Sequence, residues 1–284
     1  MGQLNLEILE PDFDKKSTSS YELSILVGVG SLIYLVLNDN NQILLLRDYG
    51  LGIVKKVADK EAEIIEILNT DPILPLLFRK VKIAFQNAPF SIVPSRLYQE
   101  EQKSTYLKAL VGGNGLDNIH SDELPEINAH IVYNLNSNIH VAFKNIKPVA
   151  KYYHAGSAII LGGLKLTNSQ KDYSVNVNIR DNHIQISLFE KKNLLLFNQN
   201  AFFSAKDAVY YLLLLFSQFK LNNEETPVWL SGQIMEDSEL YTLFYRYIKN
   251  IRLISSPDFL QYGKKVFPAP PHFYYDLLSL SLCK

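Results

Sequence analysis

The feature that most constrains this chain is an order of elements that occurs twice, from about residue 21 and again from about residue 173. In the first pass, residues 23–27, 32–37 and 42–47 read as three β-rich segments. They are joined by the turn Gly28-Val29-Gly30-Ser31 and by Asn38-Asp39-Asn40-Asn41, residues that tolerate turn backbone. A helix over 59–68 follows, with Ala62, Ile65 and Leu68 on one stripe and Lys60, Glu63 and Glu66 on another. Strands are expected at 80–86 and 90–93, and a helix opened by Ser95 is expected to run through Leu107 to a stop at Gly112-Gly113. Residues 114–128 read as a polar loop and 130–135 as a strand. Residues 139–146 fit a helix or a strand, and 149–153 a strand before a helix over 156–166.

In the second pass Val175, Val177 and Ile179 alternate with polar residues, the signature of a half-buried strand. Arg180-Asp181-Asn182 turns into an alternating strand over 183–189, and Lys191-Lys192-Asn193 into a strand over 194–197. Ser204, with Asp207 three residues on, opens a helix to about Leu221. Residues 227–230 form a strand ending at Ser231-Gly232, and Ser238 caps a helix with Leu240, Leu243, Phe244, Tyr247, Ile248 and Ile251 on one face. A last strand lies at 251–255 and a terminal helix at 272–282. The two passes share element order, not residue identities.

Three antiparallel strands followed by alternating helix and strand form the core of a ribonuclease-H-like fold. Two copies in one chain give the actin-like ATPase architecture: α/β, each domain with a mixed sheet flanked by helices, and a cleft between them. The expected domains are 1–155 and 156–284, the second with a C-terminal helix that packs back on the first.

With 28 Lys plus Arg against 29 Asp plus Glu, the formal net charge is -1, which gives no electrostatic footprint for nucleic acid or an anionic membrane. The N-terminus is acidic and carries no apolar block, so it is not read as a signal peptide. The apolar run over 23–37 is too short to span a membrane and is broken by Gly28 and Gly30. One cysteine, Cys283, excludes an internal disulfide and reads as an inert thiol. The expected location is cytoplasmic, without a transmembrane segment.

Three segments resemble those of a bacterial family, mainly of Bacteroidota, called domain of unknown function 3822. They are Phe90-Ser91-Ile92-Val93-Pro94 with Leu97-Tyr98, Ala150-Lys151-Tyr152-Tyr153-His154, and His272-Phe273-Tyr274-Tyr275-Asp276-Leu277-Leu278. The resemblance implies an actin-like ATPase fold and lends no activity. In layout the chain is also similar to actin-like cytoplasmic scaffolds of pilus and secretion assembly.

An actin-like ATPase needs an acid in each of two hairpin turns to organise Mg²⁺, small residues that let backbone N–H groups approach phosphates, and a glycine pair for adenosine. The first turn, Gly28-Val29-Gly30-Ser31, keeps glycine and hydroxyl and lacks the acid. The second, Asn178-Ile179-Arg180-Asp181-Asn182, has Asp181 displaced and no glycine; the adenosine loop reads Ser231-Gly232-Gln233, with one glycine. Each residue has a structural reading beside the nucleotide one. Gly28 and Gly30 supply positive φ in a hairpin, Asp181 is a turn residue, and Ser231-Gly232 is a strand-to-helix turn. The candidate nucleotide site is therefore Gly28, Gly30, Ser31, Asp181, Ser231, Gly232 and Gln233, with no catalytic residue and no metal ligand assigned. His154, at the expected crossover between domains, is a candidate to face the cleft or a structural histidine.

No phosphate-cradling Gly-x-x-x-x-Gly-Lys-Ser/Thr, Gly-x-Gly-x-x-Gly, Gly-x-Ser-x-Gly or paired-histidine motif is present. Phe267, Phe273, Tyr274 and Tyr275, among Pro268, Pro270 and Pro271, form either an exposed protein-binding patch or a strap holding the halves together. Two functional readings follow. One is a catalytically inactive interaction or scaffold module, a pseudo-ATPase that requires no cofactor and binds an unidentified protein. The other is a regulatory switch that binds ATP with Mg²⁺ and hydrolyses it weakly or not at all. An enzyme of unrelated chemistry centred on His154 ranks last.

Overall fold

The computed structural model describes residues 2–52, 57–111, 115–167, 173–263 and 270–284. The helix stop expected at Gly112-Gly113, and Phe267 and Pro268 of the aromatic cluster, lie outside the described residues. Chain order begins with β1 (Gln3–Leu9), β2 (Glu22–Val27), β3 (Ser31–Leu37), β4 (Ile43–Gly50), α1 (Val57–Thr70) and β5 (Lys80–Phe85). Then come β6 (Phe90–Pro94), α2 (Lys103–Val111), β7 (Ile119–Leu124), β8 (Ala129–Asn134), α3 (Ser137–Ile146), β9 (Lys151–His154) and α4 (Ala155–Leu166). The remainder is β10 (Tyr173–Arg180), β11 (His183–Glu190), β12 (Asn193–Ala201), α5 (Ala205–Phe219), β13 (Val228–Gly232), α6 (Glu239–Tyr247), β14 (Ile251–Leu253) and α7 (Tyr275–Ser279).

The sheets carry the repeat that the element order announces. The first is ordered β1-β4-β3-β2-β5-β9 and the second β12-β11-β10-β13-β14. Leaving out β1, both run third-second-first-fourth-fifth. In both, the first three strands are antiparallel and the last two add in parallel: Glu22 pairs with Lys80 and Lys82 with Lys151 in one, Val175 with Val228 and Val228 with Ile251 in the other. This is the ribonuclease-H-like sheet, present twice. A three-stranded sheet, β6-β8-β7, is inserted between β5 and α3, and α2 packs Leu107 against its Val93 and Val132.

The chain divides into two compact units, Met1–Ser157 with Asp258–Phe267, and Ala158–Pro257 with Pro268–Lys284. In the first, β3 is buried along its whole length, which explains why Leu32 to Leu37 is an unbroken apolar run: a central strand covered on both faces has no polar side. In the second, Val175, Val177 and Ile179 of β10 join the core under α5 and α6.

Several expectations are corrected. The N-terminal stretch contains a strand: Leu4, Leu6 and Ile8 alternate along β1, which pairs with β4. The polar loop expected over 114–128 contains β7, whose Asp122 and Leu124 are buried while its other residues are not, so it lacks an apolar signature. Residues 139–146, which fit a helix or a strand by sequence, are helical, within α3, which Asn136 caps by accepting from the Ile139 amide at 3.1 Å. The helix assigned from Ser95 starts at Lys103, after two 3₁₀ turns. The strand expected over 194–197 extends over Asn193–Ala201. The terminal helix is broken into a 3₁₀ turn at Pro271–Tyr274, the short α7, and a 3₁₀ turn at Leu280–Leu282. Tyr274 and Tyr275 are buried, so no exposed aromatic patch forms from them.

The cap expected at Ser204 closes a full capping box. Its hydroxyl accepts from the Asp207 amide at 3.3 Å and the Asp207 carboxylate accepts from the Ser204 amide at 2.9 Å. Ser204→Ala is expected to cost about 1 kcal/mol, read as a lower urea midpoint with unchanged slope. An unchanged midpoint would show that the box contributes nothing to the stability of α5.

Candidate functional site

The first hairpin turn joins β2 to β3. The Gly28 amide donates to the Ser31 carbonyl at 2.8 Å, and the Leu51 amide donates to the Gly30 carbonyl at 2.8 Å. Among the described residues the glycines with positive φ are Gly115 and Gly232, so Gly28 and Gly30 are not there for left-handed backbone, contrary to their structural reading in the sequence. Lys60, on the first turn of α1, donates from Nζ to the Gly28 carbonyl at 2.8 Å and places a cation at this turn. Gly28, Lys60, Glu61, Phe85, Asn87 and Asn136 line a depression of about 150 Å³. Its acid, Glu61, accepts from the side-chain amides of Asn136 and Asn138, each at 2.8 Å.

The second turn joins β10 to β11 through Asp181 and Asn182, both in left-handed backbone (φ 51° and 57°) as a tight hairpin requires. The parallel pairing of β10 with β13 ends at Ile179 opposite Gly232. Gly232 sits at φ 83°, and a Cβ there would lie 1.9 Å from the Ile179 carbonyl oxygen, so only glycine fits. The next residue turns back on the hairpin. The Gln233 amide donates to the Ile179 carbonyl at 2.6 Å, and its side-chain Oε1 accepts from the Asp181 amide at 2.9 Å. The Asp181 backbone N–H of the second turn is thus held by the chain's own Gln233.

Beneath that turn lies the polar face of β10. Alternation predicts a solvent-facing side, and the structure corrects this: Ser174, Asn176, Asn178 and Arg180 are all buried. Ser231 Oγ donates to Asn178 Oδ1 at 2.9 Å, and Asn178 Nδ2 donates to Gln185 Oε1 at 2.8 Å. Arg180, 0% exposed, forks onto Asp276 of α7, with Nε to Oδ2 at 2.5 Å and Nη2 to Oδ1 at 3.0 Å. Nη2 also donates to the Phe273 carbonyl at 2.7 Å.

Within the first unit, then, Gly28, Gly30 and Ser31 stand together with Lys60. Within the second, Asp181, Ser231, Gly232 and Gln233 stand together with Asn178, Arg180 and Asp276. The last three lie outside the set of site residues that the sequence points to. Arg180 as the one cation of an alternating strand, and Asp276 as the one acid of an apolar tail, were the available signal.

His154 is enclosed in the first unit, 0% exposed. Its Nδ1 accepts from the Gly156 amide at 3.0 Å, so Nε2 carries the proton and donates to the Ala88 carbonyl at 3.2 Å. Burial pushes the imidazole down to about 3, and it stays neutral. Its backbone amide donates to Asp122 Oδ2 at 2.8 Å; Ser157 Oγ reaches the same oxygen at 2.5 Å and Tyr133 donates to Oδ1 at 3.0 Å. Burial raises Asp122 to about 7 against the lowering effect of those three bonds. Among the described residues no three His, Cys, Asp or Glu are grouped so as to hold a metal ion, and no helix is long and apolar enough to cross a membrane.

A family model described as a protein of unknown function (DUF3822) matches residues 10–251. A search of curated protein sequences finds no match. Among solved structures, the chain is similar to a Bacteroides thetaiotaomicron protein with actin-like ATPase fold and unknown function, at 19% identity over 96% of this chain and 99% of that one, with a TM-score of 0.80. It is also similar to the PilM-PilN type IV pilus biogenesis complex (14% identity, 92% and 97% coverage, TM-score 0.63). A third likeness is to the ethanolamine utilization protein EutJ from Carboxydothermus hydrogenoformans (9%, 97% and 93%, TM-score 0.53). At these identities the likeness is one of fold, and the fold is that of the actin-like ATPases.

Proposed function

The chain belongs to the DUF3822 family of proteins of unknown function, and we propose that it is a non-catalytic actin-like-fold module that works by binding another protein. One observation carries this reading: the second hairpin turn, where the fold would place a metal-organising acid and a glycine, has the enclosed Arg180–Asp276 ion pair beneath it. A Mg²⁺–nucleotide needs acceptors for the metal's waters and free amides for the phosphates. The groups present do not fit that need. Arg180 brings a cation already neutralised by Asp276, the Asp181 amide is held by Gln233, and the side chain bonded to the first turn is the Lys60 ammonium, which offers a metal's waters no acceptor.

The fold has a precedent in protein assembly: PilM stands in a complex with PilN in type IV pilus biogenesis. We read the present chain as a bacterial cytoplasmic module of that general kind, with its own unidentified protein partner. The test is Mg²⁺-ATP turnover by the purified chain, expected at the background rate. Turnover abolished by Gly28→Trp would sink the reading.

A regulatory switch remains the second reading, favoured by the depression at Gly28 and Lys60. A ligand that binds only the folded state stabilises it by about 2.7 kcal/mol at 100 times its dissociation constant. Thermal titration with ATP, ADP and Mg²⁺ therefore separates the two. The interaction module predicts a midpoint unmoved at millimolar nucleotide, the switch a saturable rise of a few degrees.

A further inference from the structure

The Asp276 carboxylate is surrounded as a bound anion would be. Arg180 Nε and Nη2 reach its two oxygens at 2.5 and 3.0 Å, Asn178 Nδ2 approaches Oδ2 at 3.3 Å, and the Leu277 amide donates to Oδ1 at 2.8 Å. Three of the four donors belong to β10 and remain if α7 leaves. A planar guanidinium with converging amides is the donor set that recognises carboxylate and phosphate alike. The segment that supplies the carboxylate is pinned on both sides of it. His272 Nε2 meets the Ile234 carbonyl at 2.7 Å, the Tyr275 hydroxyl donates to the Gly162 carbonyl at 3.0 Å, and a Cβ on Gly162 would lie 2.3 Å from Ser279 Oγ.

We propose that Arg180 and Asn178 form a latent oxyanion site whose resident occupant is Asp276, and that the C-terminal segment is an autoinhibitory strap holding that site closed. The ligand class is a phosphate-like oxyanion, free or carried on a larger molecule, that competes with the carboxylate for the guanidinium. The inference rests on reading the second turn as one that has exchanged nucleotide for an internal contact.

Asp276→Ala removes the carboxylate and frees the volume it fills, leaving Arg180 enclosed without its counter-ion. The variant is expected to melt about 5–10 °C below the wild type in chloride buffer. Inorganic phosphate at constant ionic strength should restore most of that loss saturably, while added chloride should not. The double variant Arg180→Met/Asp276→Ala should show no phosphate-specific recovery. If Asp276→Ala is unfolded in chloride, the same titration is read as phosphate-driven refolding by circular dichroism. A parallel arm with ATP distinguishes the source: recovery with phosphate alone assigns a free anion, recovery with both a phosphate on a larger ligand.

Phosphate acting no better than chloride would overturn the proposal. So would equal recovery in the variant lacking Arg180, or an Asp276→Ala protein as stable as the wild type. Turnover of ATP by the wild-type chain would sink the non-catalytic reading and leave the anion recovery to be judged by itself.

Discussion

Gly232→Ala is expected to lose about 3 kcal/mol or more of the stability of the second unit. Two costs add. An alanine at φ 83° sits in backbone that side-chain-bearing residues seldom adopt, and its Cβ would fall 1.9 Å from the Ile179 carbonyl oxygen, backbone that cannot rotate away. Relief requires parting the ends of β10 and β13, where Ile179 and Gly232 pair. That would carry Gln233 off the Asp181 amide. The measurement is chemical unfolding followed by far-ultraviolet circular dichroism, and amide exchange should show the loss concentrated at residues 178–183 and 230–234. A midpoint within error of the wild type would mean that the close approach is not a constraint. The result also separates the two explanations left open for this glycine. A position kept for nucleotide contact alone tolerates alanine in the absence of nucleotide, whereas one required by the backbone does not.

Much of the fold was readable because it rests on local rules. The unbroken apolar run of β3, the alternation of β10 and β11, and the capping box at Ser204 each announce an element from fewer than ten residues. β7 was not legible because a strand that buries only Asp122 and Leu124 has no apolar period to detect. The tail reads as one helix because Tyr274 to Leu278 has helical spacing, while in the fold a 3₁₀ turn that begins at Pro270 and Pro271 precedes the short α7 and another follows it. The alternation of β10 correctly assigned a strand and wrongly assigned an open face. A polar side chain signals solvent only where no buried partner exists, and Asp276, 96 residues from Arg180, is such a partner. For the same reason the candidate turns are legible in the sequence and the side chains that meet them are not. The turns are contiguous in sequence; Lys60 and Asp276, which supply their charges, come from elsewhere in the chain.

The pH dependence of stability offers the second large effect, through Asp122. Burial raises this carboxyl to about 7, whereas in an unfolded chain it titrates near ~4. As pH rises from about 4, the unfolded chain gives up its proton first while the folded chain still holds it. The stability that Asp122 contributes is complete below pH ~4, falls between about 4 and 7, and is gone above. At roughly 1.4 kcal/mol per unit, the swing is on the order of 4 kcal/mol. His154, pushed down to about 3, acts oppositely: an unfolded histidine takes up a proton near ~6.5, so the folded state loses ground as pH falls below that. The raw profile of the wild type mixes the two. Asp122→Asn separates them, because asparagine does not titrate, and its side-chain oxygen in the place of Oδ2 can still accept from both the His154 amide and Ser157 Oγ, with Nδ2 turned toward the Tyr133 hydroxyl oxygen. The difference in unfolding free energy, variant minus wild type, should rise by several kcal/mol between pH 4 and 7.5, so that the variant gains on the wild type toward neutral pH. Parallel profiles over that range would show that Asp122 is ionised in the folded protein throughout, with its three hydrogen bonds outweighing the cost of burying the charge.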